Sequence, residues 1–382
     1  MPLAIFSYSY VDLNLTLSQN PLALSIISTL QQLGYFNRQS ATFIFIFSIT
    51  TVFCFFAYNL WLFKKGKISA NYLKVATIGN TIILIFAYPF LSSDIFNYMF
   101  DAKIITQYHA NPYTHKPLDF PSDEWIRFMR WVHRYSPYGP LWLVMSTIPS
   151  ILGFGKFITT LFAFKISIGI FHLVNSYLIY RILKITNPKA LLLGTAFYAM
   201  NPLFLIEGVA NGHNDLILAT FLLASIFLFT SKRYSLSLIT LLAGALVKYI
   251  PILNLPWLIW AKLTKQKNVE KLIFLNLLTM IAFTIIFSTT KISTPFVSSG
   301  ATQVQFQPWY LFWTVPYVSL LAKKELILAA FIVCYGAMLR YLPFLYYGDW
   351  SQPGTTTFMK FSILIPLIIA AVISVIPRFS KR

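Results

Sequence analysis

The chain has 382 residues, of which 57% are hydrophobic and only 11% are charged. Soluble domains are usually about 45–50% apolar and about 25% charged, so this composition excludes an ordinary soluble enzyme and indicates an integral membrane protein. The net charge of +19 could suit nucleic acid, but the basic residues lie in short clusters between apolar segments, which indicates cytoplasmic loops beside membrane lipids and no nucleic-acid partner.

Apolar segments recur along the chain, and a spanning helix needs roughly 20 apolar residues. Residues 1–39 are ambiguous, because their apolar part is short for a span. The first two predicted spans, about 41–63 and 72–91, are joined by basic residues, which places the polar interval 92–140 outside the cytoplasm. Segment 141–154 is short and contains proline and glycine, so we interpret it as a re-entrant or interfacial hairpin.

The remaining predicted spans alternate with basic clusters. They cover approximately 156–182, 190–207, 215–231, 234–248, 250–261, 272–290, 309–322, 325–346 and 358–376. We therefore predict an all-α polytopic protein with roughly eleven transmembrane helices and a large first external loop with interfacial helices. The whole chain, 1–382, is expected to be one domain. The two cysteines are isolated and indicate neither a disulfide nor a metal site.

The interval 92–140 holds five of the eleven acidic residues. Asp94 directly follows a predicted span, where an ionisable side chain is costly and usually functional. It could be a general base, and its alternative role is to cap the next helix. Asp101 shares a helical face with Asp94 and could bind a cation or orient the base or the acceptor. Its alternative is an ion pair with a nearby basic residue.

A short helix is predicted later in this interval, beginning at Trp125 after Asp123-Glu124. Three arginines continue from it at helical spacing, which is typical of an amphipathic interfacial helix; they are Arg127, Arg130 and Arg134. Arg134 directly precedes a Tyr-Ser-Pro-Tyr-Gly-Pro stretch, and an arginine there could instead bind a phosphate.

A second polar group, Glu207 with His213, Asn214 and Asp215, occurs within nine residues where one apolar segment ends and another begins. A turn before a capped helix would explain Asn214 and Asp215, but not Glu207 and His213. The spacing matches no known zinc-ligand pattern. We therefore predict hydrogen bonding to a sugar or to an acceptor.

Asp94, Asp101 and the group from Glu207 to Asp215 are all expected near the outer face, which indicates one external cavity. Four more residues could line that cavity. Lys248 could neutralise a lipid phosphate, or its amine could reach the membrane interface. Lys165 lies on one face of a spanning helix, where a satisfied polar residue of the bundle core is the ordinary alternative. Trp309 and Tyr310 could stack on a sugar or a prenyl chain, or belong to the aromatic belt at the interface.

Several short motifs carry a resemblance to a known family. They are Asp94-Ile95-Phe96-Asn97-Tyr98, Phe100-Asp101-Ala102, Asn111-Pro112-Tyr113, Tyr135-Ser136-Pro137-Tyr138-Gly139-Pro140, Ala210-Asn211-Gly212-His213-Asn214-Asp215, the segment from Lys248 to Pro251, and Gln307-Pro308-Trp309-Tyr310 with Trp313. In this order they resemble GT-C glycosyltransferases, most closely the polyprenol-phosphate-mannose-dependent mannosyltransferases of bacteria and archaea. Many of those proteins have a second acid two residues after the first. Position 96 is Phe here, which leaves metal dependence open.

The resemblance implies an inverting transfer of a sugar, mannose in the closest group, from a polyprenyl-phosphate donor to a lipid-linked or glycan acceptor. The reaction would occur at the extracytoplasmic face of the cell membrane. Asp94 would be the base, and Asp94 and Asp101 would be the ligands of any divalent cation. Donor phosphate would contact Lys248, Arg134 and Lys165, and sugar or acceptor would contact Tyr98, Asp101, Glu207, His213, Asn214, Asp215, Trp309 and Tyr310. The alternative class is a lipid or sugar transporter or flippase, although no internal repeat is evident.

Overall fold

The computed structural model describes residues 2–11, 20–266, 268–289 and 306–379, without the side chains of 287–289 and 373–379. These residues form helices joined by turns and loops, and no strand occurs among them. The α-helices are α1 (Pro2–Ser7), α2 (Pro21–Gln31), α3 (Arg38–Lys64), α4 (Ala70–Ile85), α5 (Asp94–Thr106), α6 (Pro140–Leu152), α7 (Phe157–Thr186), α8 (Leu191–Ala199), α9 (Asp215–Thr230), α10 (Tyr234–Ala245), α11 (Leu255–Leu263), α12 (Val269–Thr289), α13 (Val315–Leu321), α14 (Lys324–Leu339), α15 (Leu342–Tyr347) and α16 (Thr355–Phe379). Short 3-10 helices occur at Tyr8–Tyr10, Pro117–Asp119, Glu124–Phe128, Pro188–Ala190, Ile250–Asn254 and Pro308–Trp313, and π-helices occur at Gln32–Phe36 and Phe204–Ala210.

Five helical stretches in the described part of the chain are long and apolar enough to cross a membrane, and a sixth is added if one bent pair counts as a single span. The five are Arg38–Lys64, Phe157–Thr186, Val269–Ile286, Lys324–Tyr347 and Thr355–Val372, and the bent pair is Pro188–Ala199 with Phe204–Ala210. The all-helical prediction is therefore confirmed for the described residues. The predicted count of eleven spans is not confirmed.

The difference arises because several predicted spans are short or interrupted. Helix α4 has 16 residues and is therefore only about 24 Å long, less than the roughly 30 Å of a bilayer's hydrocarbon core. The predicted span over 190–207 bends by 52° between its two helices. Pro202 lies at this bend, where a proline removes a backbone donor. The predicted span over 309–322 is divided into a 3-10 helix and the seven-residue α13.

Segment 141–154 differs from its prediction in another way. It is occupied by α6, one helix from Pro140 to Leu152, so the predicted hairpin is wrong. Pro140 occupies the first turn, where its missing N–H costs nothing, and Gly153 follows as the C-cap residue. Pro149 is accommodated inside the helix, close to its end.

Helix α7 is central to the packing, because it contacts six other helices: α4, α5, α6, α8, α9 and α13. Its buried polar side chains bind backbone carbonyls where neighbouring helices begin or end. The Lys165 amine donates to the carbonyls of Ala87 and Ala210, the latter at 2.8 Å. The Asn175 amide donates to the carbonyl of Leu216 at 2.8 Å. Because lipid offers no partners to backbone groups, these bonds allow helices to end inside the protein.

Candidate active site

Helix α5 places Asp94 at the edge of the protein interior. Ser93 is the N-cap residue and Asp94 the first residue of the helix, so the capping alternative does not hold for Asp94. Residues 95–104 are all buried, which fixes the helix in place. The Asp94 side chain nevertheless keeps 20% of its surface exposed. This carboxylate is therefore rigidly positioned and still accessible to a ligand.

His213 joins Asp94 to a second carboxylate. Its Nδ1 atom lies 3.7 Å from Asp94 Oδ2, and its Nε2 atom lies 3.4 Å from Glu207 Oε2. An imidazole can offer an N–H to two acceptors only when both of its nitrogens are protonated. His213 and Glu207 are fully buried. The three side chains form an acid–imidazole–acid row whose only partly exposed member is Asp94.

The turn before α9 builds this row. Gly212 has a φ of +77°, and a Cβ atom there would lie 2.4 Å from Ile95 Cδ1, so only glycine fits the turn against α5. The Asn211 side chain accepts the N–H of Phe90 at 3.2 Å and donates to Glu207 Oε2 at 3.0 Å. One side chain thus ties the turn both to the segment before α5 and to the buried acid.

Aromatic residues from the 308–313 segment cover the row. The Trp309 ring stacks on His213 with centroids 3.9 Å apart and planes 23° apart. Tyr310 stacks in the same way on Trp313, with centroids 4.5 Å apart. The structure therefore brings the predicted aromatic pair to the predicted polar group, although the two are about a hundred residues apart in sequence.

Lys248 and Asp215 form a close ion pair beside the row. The Lys248 amine lies 2.6 Å from Asp215 Oδ2, and the Trp313 indole N–H donates to Asp215 Oδ1 at 2.8 Å. Asp215 is fully buried and has both oxygens bound. It therefore positions Lys248, whose ammonium also lies 5.8 Å from the ring centroid of Tyr138.

Tyr98 connects this region to the rest of the external loop. Its hydroxyl donates to Asn214 Oδ1 at 3.3 Å. Its ring meets the rings of Tyr138 and Trp142 edge to face, with centroids 5.0 and 5.2 Å away. Tyr98 is fully buried and bonded to this turn, so it supports the turn and does not face an open cavity.

Asp101 lies in a separate polar cavity of about 10 Å³, which is about the size of one water molecule. Burial raises the pKa of Asp101 to about 7, although the Ser136 hydroxyl and the Arg134 guanidinium lower it. Asn97 Oδ1 and Arg134 Nε are buried there and have no hydrogen-bond partner among the described residues. Asp101 therefore faces its own polar surroundings, apart from the row that contains Asp94.

No group of three or more His, Cys, Asp or Glu side chains in the described ranges is arranged to hold a metal ion. Asp94 and Asp101 lie on one helix, but they face different neighbours. The sequence left open whether Asp94 and Asp101 bind a divalent cation, and in the described residues these two acids belong to no such group.

The predicted phosphate ligands are divided by the fold. Lys248 lies beside the row, whereas the Arg134 guanidinium lies 4.1 Å from the Trp131 ring centroid and lines the Asp101 cavity. Lys165 is buried in α7 and bound to two carbonyls, so it is not brought to Asp94. His172, from the same face, likewise contacts the carbonyl of Ala199 at 3.1 Å.

The loop helix is shorter than predicted. Asp123 caps it by accepting the N–H of Trp125 at 2.8 Å, as expected for an acid at a helix start. The Asp123 carboxylate also lies 2.5 Å from the Lys103 amine, and that ion pair, Tyr108 and the Trp125 N–H together keep its pKa low in spite of its burial. The helix ends at Phe128, so the predicted amphipathic helix through Arg130 and Arg134 is wrong.

One charged residue near the site is absent from the sequence-based prediction. Arg340 ends α14 with only 5% of its surface exposed, and it is close enough to Glu207 and Tyr310 for electrostatic interaction with both. An arginine inside an apolar segment is itself a sign of function. The signal is easily passed over here because Arg340 belongs to no motif.

Sequence comparison with known families matches residues 13–264, about two thirds of the chain, to the alpha-(1->6)-mannopyranosyltransferase family, N-terminal domain. This chain belongs to that family. A curated relative, alpha-(1->6)-mannopyranosyltransferase A of Corynebacterium glutamicum, is 26% identical over 212 residues, which is 52% of this chain and 42% of the relative. The chain thus spans less than half of that mannopyranosyltransferase. No solved structure matches it.

The family match ends between the two halves of the site. Asp94, Glu207, His213 and Lys248 lie inside the matched residues, whereas Trp309 and Arg340 lie beyond them. The acid–imidazole–acid row is therefore part of the region shared with other alpha-(1->6)-mannopyranosyltransferases. Its aromatic cover is contributed by the following part of this chain.

Proposed function

We propose that the chain is an inverting mannosyltransferase, which moves mannose from a polyprenyl-phosphate donor to a lipid-linked or glycan acceptor. The observation that supports this most is the row from Asp94 through His213 to Glu207, with one carboxylate partly exposed and the other buried. Family membership supports mannose as the sugar. The name of the family makes an alpha-(1->6) linkage the product that we expect.

In the proposed reaction, an acceptor hydroxyl is positioned at the exposed oxygen of Asp94. The carboxylate takes the hydroxyl proton while the acceptor oxygen bonds to the anomeric carbon of the donor. The bond between that carbon and the phosphate oxygen breaks, and polyprenyl phosphate leaves with the electron pair. Attack from the side opposite the phosphate inverts the configuration. A positioned base of this kind contributes about 10²–10⁴-fold to the rate.

The cationic and aromatic neighbours have distinct parts in this proposal. Lys248 supplies positive charge near the departing phosphate, and such electrostatic help is worth most where water is excluded. His213 lies between Asp94 and Glu207 and separates the two carboxylates. Trp309 packs over His213 and offers an aromatic surface to the sugar.

The proposal also places the site at the extracytoplasmic face of a multi-pass protein. The exposed Phe43, Phe47 and Phe55 on α3 support lipid contact along a spanning helix. The short helices α4, α9, α10 and α11, together with the interrupted segment 309–322, would complete the eleven crossings that the basic clusters predict. Interval 92–140 would then lie outside the cytoplasm.

The test uses purified protein in lipid nanodiscs, supplied with polyprenyl-phosphate mannose labelled with ¹⁴C. We expect label to reach a mannan or mannolipid acceptor and the product bond to be cleaved by an alpha-(1->6)-specific mannosidase. GDP-mannose offered in place of the lipid donor should give no transfer. Label that appears only with GDP-mannose, or that crosses the membrane unchanged on its lipid, would contradict the proposal; the second result would indicate a flippase.

A further inference from the structure

Arg340 is an unusual side chain because it is buried without a directly bound counter-charge. Its guanidinium forms no ion pair and no hydrogen bond with any side chain that the structure describes. The guanidinium makes a cation–π contact with the ring of Trp350, whose centroid lies 5.5 Å from the guanidinium carbon. A buried cation is costly unless an anion or several acceptors satisfy it. The surroundings therefore favour an anionic ligand.

The position of Arg340 relates it to the proposed active site. It is close enough to Glu207 and Tyr310 to interact with them electrostatically, so it borders the acid–imidazole–acid row. The residues around Arg340 also contact the external loop. Trp350 stacks on Phe344 with centroids 4.9 Å apart, and the exposed Arg130 lies 5.3 Å from the Phe344 ring.

An apolar groove starts two residues after Arg340. It has a volume of about 340 Å³, within the usual range of about 300–1,000 Å³ for ligand sites. It lies between α3, α15 and α16, and its wall includes Thr42, Leu342, Pro343, Tyr346, Tyr347 and Phe358. Such a groove beside a buried arginine suits a molecule with an anionic head and a hydrocarbon chain.

We propose that Arg340 binds the phosphate of the lipid donor, with the first part of the hydrocarbon chain in the groove behind Leu342. This inference rests on the proposed function and names the ligand of the same site. Guanidinium groups bind phosphate oxygens in pairs, which would hold the leaving group in a fixed orientation. The Lys248 amine is already 2.6 Å from Asp215, so it is less able to serve as the main phosphate contact.

The test measures binding of polyprenyl phosphate without sugar to protein in nanodiscs, using displacement of a photocrosslinking lipid phosphate. We expect Arg340→Gln to weaken binding by roughly 30-fold or more, because it removes one side of a buried charged contact. Arg340→Lys should recover part of it. Arg181→Gln, which changes an exposed arginine elsewhere, should leave binding unchanged. The donor KM should rise most in Arg340→Gln, less in Arg340→Lys and not at all in Arg181→Gln.

A second variant tests the groove. Thr42→Trp fills it, and should raise the KM of the prenyl donor while leaving a methyl-phosphate mannose donor, which has no prenyl chain, unaffected. Wild-type affinity of Arg340→Gln for polyprenyl phosphate would overturn the inference even if mannose transfer is active. Conversely, arginine-dependent lipid binding without mannose transfer would uphold it while contradicting the proposed function. Displacement by GDP as efficient as by the lipid would show a nucleotide site and also overturn it.

Discussion

Asp94, His213 and Glu207 form one row in which the carboxylate at one end is partly exposed and the carboxylate at the other end is fully buried. Glu207 is fully buried and would be costly there as an unpartnered carboxylate. Asn211 donates a hydrogen bond to it, and the His213 ring lies between it and Asp94. The sequence predicted that these residues act together. It could not predict their order, since that depends on a turn and a helix start from different parts of the chain.

Asp101 should make the stability of the protein depend on pH. Its folded-state pKa of about 7 lies above the ordinary value of 3.8, so the folded protein holds a proton that the unfolded chain releases. The contribution of Asp101 to stability is therefore greatest below about pH 4 and falls as the pH rises to 7, by up to about 4 kcal/mol. Thermal unfolding in nanodiscs should show a flatter profile over this range for Asp101→Asn.

Asp119→Asn, in an exposed part of the same loop, is the control for Asp101 and should keep the wild-type profile. If Asp101→Asn unfolds with the same pH dependence as the wild type, the cavity does not hold a protonated acid.

Lys165 is expected to be needed for stability and not for donor binding. Lys165→Met leaves the buried carbonyls of Ala87 and Ala210 without a donor, which should cost about 1–3 kcal/mol for each group. Lys156→Met, at the exposed start of the same helix, should have little effect. We expect a lower unfolding temperature with an unchanged donor KM. The reverse pattern would return Lys165 to the phosphate site.

At the scale of elements, Gly139 joins the external loop to the segment before Lys248. Its N–H donates to the carbonyl of Val247 at 3.0 Å, and a Cβ atom would lie 2.2 Å from the carbonyl oxygen of Leu246. Both groups in this contact are backbone, so neither can move aside as a flexible side chain could. Gly139→Ala should therefore displace Lys248 and reduce transfer by up to about 10²-fold, as small misplacements can.

Gly79→Ala is the matched control, because its added Cβ would meet nothing within 4 Å. It should preserve activity and stabilise α4 slightly, since alanine favours a helix by roughly 0.5–1 kcal/mol over glycine. Equal activity of the two alanine variants would mean that the loop is not positioned through Gly139.

The elements themselves were predictable to different degrees. Helices α3 and α7 are continuous apolar runs, and their spans were predicted to within four residues at each end. The interrupted elements were not, because hydropathy does not show where a chain turns inside the protein. Lys165 and Asn175 stabilise such interruptions by donating hydrogen bonds to the freed carbonyls. Those bonds join segments that are distant in sequence, so hydropathy does not predict them.

At the scale of the whole molecule, the charge distribution predicts which loops share a side of the membrane. Both cysteines, Cys54 and Cys334, can be replaced by alanine, and single cysteines placed at exposed positions. His115→Cys in the external loop should react with a membrane-impermeant maleimide on intact cells. Lys189→Cys in a basic cluster should react only after permeabilisation. Labelling of both from the same side would contradict the topology.

The role of Asp94 as the base is tested most directly by the rate of mannose transfer by Asp94→Asn in a single turnover, at saturating polyprenyl-phosphate mannose. Asparagine keeps the shape of the side chain but cannot take a proton. We expect lipid-donor binding to be retained and the transfer rate to fall by about 10²–10⁴-fold, while Asp119→Asn transfers normally. A wild-type rate for Asp94→Asn would contradict the role of Asp94 as the base.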